Sequence, residues 1–153
     1  MKIQEFLSKE SVKVGLDSRN KKEAIEELVD QLILSKNLKK NLRAEIIDAL
    51  MEREELGSTG IGQGIAIPHA KSAKIQGLVA ALGVSRRGVE FQSLDSELVN
   101  VIFLLIAPVD STGLHLKALA KISKILKNKF VRQALKDTAS SEEVMKILER
   151  EDE

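Results

Sequence analysis

The stretch LVNVIFLLI, residues 98–106, is apolar at every position except Asn100. A strand with one face in water alternates apolar and polar residues, whereas a strand covered on both faces is apolar almost throughout. This stretch therefore predicts a central strand whose sheet carries other elements on both faces. The apolar run 101–109 has nine residues. This run is too short to form a membrane-spanning helix, because such a helix needs roughly 20 residues.

Working outward, three shorter β-rich segments precede this strand, each bounded by Gly, Pro or Ser. They are residues 65–67, 78–84 and 89–91. The predicted strands lie too close together for a helix between each pair, so the sheet cannot be all parallel. We therefore expect a mixed sheet.

Helical patterns lie on both sides of the β region, with apolar residues recurring every three or four positions. They cover residues 20–35, 41–56, 112–126, 129–136 and 141–149. Asn20 and Ser140 are each followed three residues later by Glu, which predicts N-caps with capping boxes. The order predicts an α/β (α+β) fold, a single mixed β-sheet flanked by helices on its faces.

Composition limits the class of protein. The 153 residues predict one domain, 1–153. The 24 Lys and Arg nearly balance the 23 Asp and Glu, and aromatic residues make up 3%, so we expect no nucleic-acid partner. The absence of cysteine excludes disulfides and thiol catalysis. The N-terminus has no signal-peptide pattern, and we expect a cytoplasmic protein with no direct membrane insertion.

His69 is one of two histidines, and it ends the segment GIGQGIAIPH, which is rich in glycine. Pro68 fixes φ and removes a donor, which places the imidazole at the end of a strand beside a tight loop. Functional residues are often held this way, although a surface histidine at a strand end fits the local pattern equally well. The loop lacks Lys-Ser/Thr after Gly64 and does not open a helix, so it predicts a structural turn rather than a phosphate-binding or dinucleotide-binding loop.

His115 lies in the first turn of the predicted helix 112–126, on the same face as Leu119 and Ile122. A core histidine is the commoner outcome for this pattern. The alternative is an anion site, because free N–H groups and the helix dipole favour negative charge there. Arg53 lies in the last turn of the second predicted helix, and two interpretations of it stay open. Its guanidinium either neutralises nearby carboxylates or binds a phosphoryl group. We expect no metal site and no cofactor, since no HExxH-like cluster is present.

Taken together, these residues resemble the IIA components of the bacterial phosphoenolpyruvate-dependent phosphotransferase system. The branch is the fructose/mannitol type (type 2), which includes the nitrogen-regulatory IIA proteins. The resemblance rests on GIGQGIAIPHA at residues 60–70, with Glu54 seven residues before Ile61, and on residues 89–108 and 115–126. Arg53 lies 16 residues before His69 and His115 lies 46 after it, which is similar to the active-site layout of that family.

The resemblance implies the fold of that family and a phosphocarrier, a phosphotransferase component, in which His69 is phosphorylated. A neutral imidazole nitrogen is a good nucleophile near pH 7. Arg53, His115 and the helix N-terminus near Thr112 are then expected to stabilise the transferring phosphoryl group. The identity of the phosphorylated ring nitrogen stays open at this point.

The implied donor is the histidine phosphocarrier HPr or its nitrogen-branch counterpart. Three destinations are compatible with the resemblance. A regulatory IIA protein changes its binding to target proteins with phosphorylation, and GSTGIG at residues 57–62 favours this reading, as does the lack of a fused permease domain. A sugar-specific IIA component passes the group to a IIB cysteine, and an interaction module is never phosphorylated. A weak homodimer of this chain is compatible with each of these three functions.

Overall fold

The computed structural model describes residues 1–152, in which one mixed sheet of six strands carries five α-helices. This confirms the predicted mixed sheet flanked by helices. The strands are β1 (Val12–Val14), β2 (Gly60–Gly62), β3 (Ile65–Ala66), β4 (His69–Ser72), β5 (Val79–Val89) and β6 (Val99–Pro108). The helices are α1 (Lys21–Leu34), α2 (Arg43–Glu55), α3 (Thr112–Leu126), α4 (Lys129–Asp137) and α5 (Ser141–Glu151).

Strand β6 is central, as its apolar sequence predicts. The sheet order is β1-β5-β6-β3-β2, and β4 also pairs with β6. Strands β3 and β4 run parallel to β6, whereas β5 runs antiparallel to it. Alternate residues of β6 enter two separate cores: Val101, Phe103 and Leu105 pack with α3, α4 and α5, while Leu104 and its alternating neighbours pack with α1 and α2.

The predicted helix starts are confirmed at two caps. The Asn20 side chain accepts a hydrogen bond from the backbone N–H of Glu23 at 3.0 Å. The Ser140 hydroxyl accepts one from the N–H of Glu143 at 3.1 Å. Each bond satisfies an N–H that has no partner within its helix. After α2, Gly57 has φ of +147°, so a conformation open to glycine follows this helix.

The prediction of separate strands at 78–84 and 89–91 is wrong, because β5 is one strand from Val79 to Val89. The pairing of β5 with β6 shifts between Val84 and Val89, so the residues between them bulge from the ladder. Gly88 has φ of +91° there, and an added Cβ would lie 2.7 Å from the Cβ of Leu98. The polar SRRG sequence at 85–88 looks like a turn, but tertiary pairing carries the strand through it.

The glycine-rich loop is a β-hairpin of β2 and β3, with positive φ at Gln63 and Gly64. This confirms the expected structural turn. The observed strand β3 is one residue shorter than the predicted strand 65–67. Strands β1, β2 and β4 were not predicted, because each has three or four residues and too little pattern to stand out.

Candidate active site

His69 begins strand β4, so the prediction that it ends a strand is wrong. Pro68 interrupts the ladder between β3 and β4, and pairing with β6 resumes at once, with His69 opposite Leu105. The Nδ1 atom of His69 lies 2.8 Å from the backbone oxygen of Ile67. A carbonyl oxygen only accepts hydrogen bonds, so Nδ1 is the nitrogen that carries the proton. The lone pair of the neutral ring is therefore on Nε2.

His115 lies in the first turn of α3 and is 5% exposed. Its ring centroid is 5.5 Å from that of His69, with an angle of 69° between the rings. The Nε2 atom of His115 is buried and has no hydrogen-bond partner among residues 1–152. Buried polar atoms are nearly always paired, so this nitrogen is a candidate for contact with a bound group.

Arg53 lies in the last turn of α2, as predicted. One guanidinium nitrogen donates a hydrogen bond to the backbone oxygen of Gly57 at 2.9 Å. This bond folds the side chain back over the end of its own helix. The other guanidinium donors remain available for a planar anion.

The structure brings the three predicted residues to one cleft of about 710 Å³. The cleft is lined by the end of α2, the first residues of β4 and the first two turns of α3. Arg53, His69 and His115 all line it. Residues that are 16 and 46 positions apart in the sequence therefore share one concave surface, which can admit a group carried by another molecule.

Electrostatics keep both imidazoles neutral. Burial lowers the pKa of His69 below its usual value, and the Arg53 charge acts in the same direction. The hydrogen bond to Ile67 and the Glu54 carboxylate oppose this shift without cancelling it. Burial, His69 and Lys71 all lower the pKa of His115. At neutral pH, His69 therefore presents a free lone pair rather than a second proton.

Sequence reasoning missed other residues at this site. Lys71 lines the cleft, and its Nζ donates a hydrogen bond to the Thr112 hydroxyl at 3.0 Å, which connects β4 to the start of α3. Strand alternation could have found it, since His69 and Lys71 are two apart and share a face. Behind the cleft, the buried Glu54 carboxylate lies 3.2 Å from Lys21 Nζ.

Two kinds of feature are absent from residues 1–152. No group of three or more His, Asp or Glu residues is placed to hold a metal ion. None of the helices is both long enough and apolar enough to cross a membrane.

Comparison with known proteins gives consistent matches. The family model "Phosphoenolpyruvate-dependent sugar phosphotransferase system, EIIA 2" matches residues 5–151. The chain is 31% identical to a nitrogen regulatory protein of Bradyrhizobium diazoefficiens, over 97% of this chain and 95% of that protein. It is 36% identical to the fructose-specific EIIABC component of Bacillus subtilis over 99% of this chain, yet it spans only 24% of that relative. The crystal structure of IIA-Ntr from Neisseria meningitidis superposes with a TM-score of 0.87 at 35% identity, covering 95% of this chain and 98% of that one.

Proposed function

The chain belongs to the EIIA 2 family of the phosphoenolpyruvate-dependent sugar phosphotransferase system, and we propose that it is a phosphocarrier in which Nε2 of His69 accepts the phosphoryl group. The observation that carries this proposal is the bond between His69 Nδ1 and the Ile67 oxygen at 2.8 Å. It keeps the proton on Nδ1 and the nucleophilic lone pair on Nε2.

The transfer step balances without an external acid or base. The donor is a phosphohistidine of HPr or its nitrogen-branch counterpart. The Nε2 lone pair of His69 forms a new N–P bond while the N–P bond of the donor breaks, and that electron pair returns to the donor nitrogen. The product ring keeps its proton on Nδ1 and carries positive charge, which the Ile67 oxygen stabilises. A charged ring is also a good leaving group for onward transfer.

Both sides of the cleft supply groups that can bind the phosphoryl oxygens. The phosphoryl group spreads negative charge over its oxygens during transfer, so catalysis depends on alignment and charge stabilisation. Arg53 offers its remaining guanidinium N–H groups. His115 offers the buried Nε2 that has no partner among residues 1–152. The first N–H groups of α3, from Thr112 onward, have no partner within the helix and add to this anion site.

Intact mass measures the carrier role directly. The protein is incubated with phosphoenolpyruvate, Enzyme I and HPr, and in parallel with the nitrogen-branch donor. We expect one phosphoryl adduct that is labile in acid and stable in base, and that is absent from His69→Ala. An adduct that persists in His69→Ala would overturn the choice of nucleophile. No adduct with either phosphorylated donor would leave an interaction module as the function.

We place the destination in regulation of target proteins, in line with the nitrogen regulatory relative that matches along 95% of its own length. The second candidate is transfer to a IIB cysteine for sugar uptake, which the 36% identity to a fructose-specific relative favours. In either case we place the protein in the cytoplasm.

The two destinations separate in an acceptor assay. The phosphorylated protein is mixed with a purified IIB domain of a fructose-type permease from the same genome. Regulation predicts that the adduct stays on this chain over many minutes. Sugar transport predicts that the adduct moves to the IIB cysteine within seconds, and a IIB domain with Ser in place of that cysteine is the control.

A further inference from the structure

Behind the cleft, Glu54 is a carboxylate buried to 6% exposure and surrounded by donors. Its Oε1 accepts a hydrogen bond from the backbone N–H of Thr59 at 3.0 Å and lies 3.2 Å from the ammonium of Lys21. Its Oε2 accepts a hydrogen bond from the Thr59 hydroxyl. A buried carboxylate with this many partners holds those partners in one geometry. If one partner moved away, the buried negative charge would lose a hydrogen bond or its counter-charge, and that loss is costly.

The Glu54 bonds continue toward His69 through the backbone. The oxygen of Thr59 accepts a hydrogen bond from the N–H of Ile67 at 3.1 Å. The oxygen of Ile67 lies 2.8 Å from Nδ1 of His69. Thr59 and Ile67 thus form an unbroken hydrogen-bonded connection between the buried carboxylate and the proposed nucleophile.

The same segment holds Arg53. The Gly57 oxygen accepts a bond from the Arg53 guanidinium at 2.9 Å, and the Gly57 N–H donates to the backbone oxygen of Glu54 at 3.1 Å. Residues 57–59 form no helix or strand, so the geometry of this segment depends on such contacts. Glu54 anchors it at both ends.

We infer that Glu54 is a positioning residue for phosphoryl transfer, which acts through Thr59 to set the tautomer and orientation of His69 and the placement of Arg53. This inference rests on the proposed function of His69 as a phosphoryl acceptor. Glu54 lines no part of the cleft, so it contacts neither the donor protein nor the phosphoryl group. Its effect is on the rate within the complex rather than on binding.

The negative charge of Glu54 supports the same positioning role. The Glu54 carboxylate raises the pKa of His69 against the larger, opposite effect of burial, and a ring phosphorylated on Nε2 with a proton on Nδ1 is positively charged. The charged or titratable groups that line the cleft around the ring are Glu52, Arg53 and Glu55 on α2, Lys71 on β4 and His115 on α3. Among the carboxylates, Glu54 is the one whose charge acts on the pKa of His69.

Glu27 offers a matched control within the same protein. It is also a shielded carboxylate, with a side chain 12% exposed and 2.7 Å from the ammonium of Lys13. It also accepts hydrogen bonds from the N–H and hydroxyl of Ser18. This network lies among α1, β1 and the residues between them, and none of its members lines the cleft. Glu27→Gln therefore breaks the same chemistry without touching the segment 57–59.

The experiment compares Glu54→Gln with Glu27→Gln in single-turnover transfer from phosphorylated donor. For Glu54→Gln we expect the rate at saturating donor to fall on the order of 100-fold, the loss typical of a misplaced reacting group. The donor concentration at half-saturation should not change. Glu27→Gln should transfer at the wild-type rate even where its melting temperature falls as much.

Nitrogen-15 NMR of the histidine rings gives a readout independent of transfer. With two histidines in the chain, His115→Gln assigns the spectrum. Wild type should show His69 protonated on Nδ1, whereas Glu54→Gln should show a mixture of tautomers and a His69 pKa below that of wild type. A folded Glu54→Gln with wild-type rate, tautomer and pKa would overturn the inference.

Thr59→Val is the second variant, for the case in which Glu54→Gln does not fold. It removes the hydroxyl and keeps the shape, and we expect a roughly 10-fold lower saturating rate with the same tautomer shift. A wild-type rate and tautomer in this variant would also overturn the inference. If wild type itself takes no phosphoryl group, the proposed function fails, and the tautomer comparison still decides whether Glu54 sets the tautomer of His69.

Discussion

The two sides of the cleft are built differently. On the side formed by β4 and the end of α2, His69 and Arg53 are each tied to a backbone oxygen, those of Ile67 and Gly57. On the side formed by α3, His115 keeps a buried Nε2 without a partner among residues 1–152. Ser111, the N-cap residue of α3, makes no capping bond with its side chain.

This difference between the two sides of the cleft has a chemical consequence. On the side that holds the nucleophile, bonds to backbone oxygens fix the attacking nitrogen and the Arg53 guanidinium before any donor arrives. The side formed by α3 keeps an imidazole nitrogen without a partner among residues 1–152 and the first N–H groups of its helix, which become satisfied when phosphoryl oxygens enter. The first side thus orients the nucleophile and supplies a guanidinium, the second adds further charge stabilisation, and each can be perturbed separately.

Arg53→Ala should have the largest effect of the variants below. It removes the one guanidinium that lines the cleft, and loss of a preorganised donor to a reacting oxygen typically costs about 100-fold in rate. Arg53→Lys should recover only part of this, since an ammonium cannot bond to two oxygens in a planar fork. Rapid-quench measurement of adduct formation gives the rates. Equal rates for Ala and wild type would mean that the bonded side acts through His69 alone.

His115→Gln should have a smaller and asymmetric effect. Phosphorylation of His69 should persist, because Nδ1 of His69 keeps its bond to Ile67, whereas onward transfer should slow about 10-fold because one hydrogen bond to the leaving phosphoryl group is lost. The two half-reactions are measured separately, by mass and by loss of label to an acceptor. A complete loss of phosphorylation would show that α3 also orients the nucleophile.

The pH dependence of the free energy of unfolding should distinguish both imidazoles from those of ordinary surface histidines. Their pKa values are lowered in the folded protein, mainly by burial, whereas the unfolded chain protonates them near pH 6.5. As the pH falls below about 6.5, the unfolded chain therefore binds more protons than the folded one, and the free energy of unfolding decreases.

Urea unfolding between pH 5 and 8 measures this effect. The window lies above the titration of Glu27 and Asp152, whose pKa values are lowered from ordinary carboxyl values. The slope below pH 6.5 should be shallower in His115→Gln than in wild type. A slope that is unchanged in that variant would contradict the burial argument for the α3 side.

Thr112→Val should have the smallest effect. The Thr112 hydroxyl accepts a bond from Lys71 that joins the two sides across the mouth of the cleft at 3.0 Å. This bond is solvent-exposed, and such bonds contribute under about 1 kcal/mol. We expect a melting temperature within a few degrees of wild type and a transfer rate within about twofold. A larger loss of rate would show that the two sides must be held together before the donor docks.

The helices were predictable from the sequence because local patterns define them. Each of the five was placed within two residues at either end, since apolar periodicity and caps such as Asn20 and Ser140 are local signals. The strands were less predictable. Val12 of β1 pairs with Leu82, far along the chain, and the bulge in β5 separates two segments that look unconnected.

The sequence by itself determined the central strand, the five helices and three of the residues that line the cleft, because an apolar run, helical periodicity and a histidine after Ile-Pro are visible in one dimension. Only the tertiary structure decided that His69 begins a strand, which ring nitrogen carries its proton, and that hydrogen bonds connect Glu54 to it through Thr59 and Ile67. Those properties depend on bonds between residues distant in sequence or linked through backbone atoms. A backbone oxygen such as that of Ile67 belongs to every residue, so no side-chain pattern marks where it points.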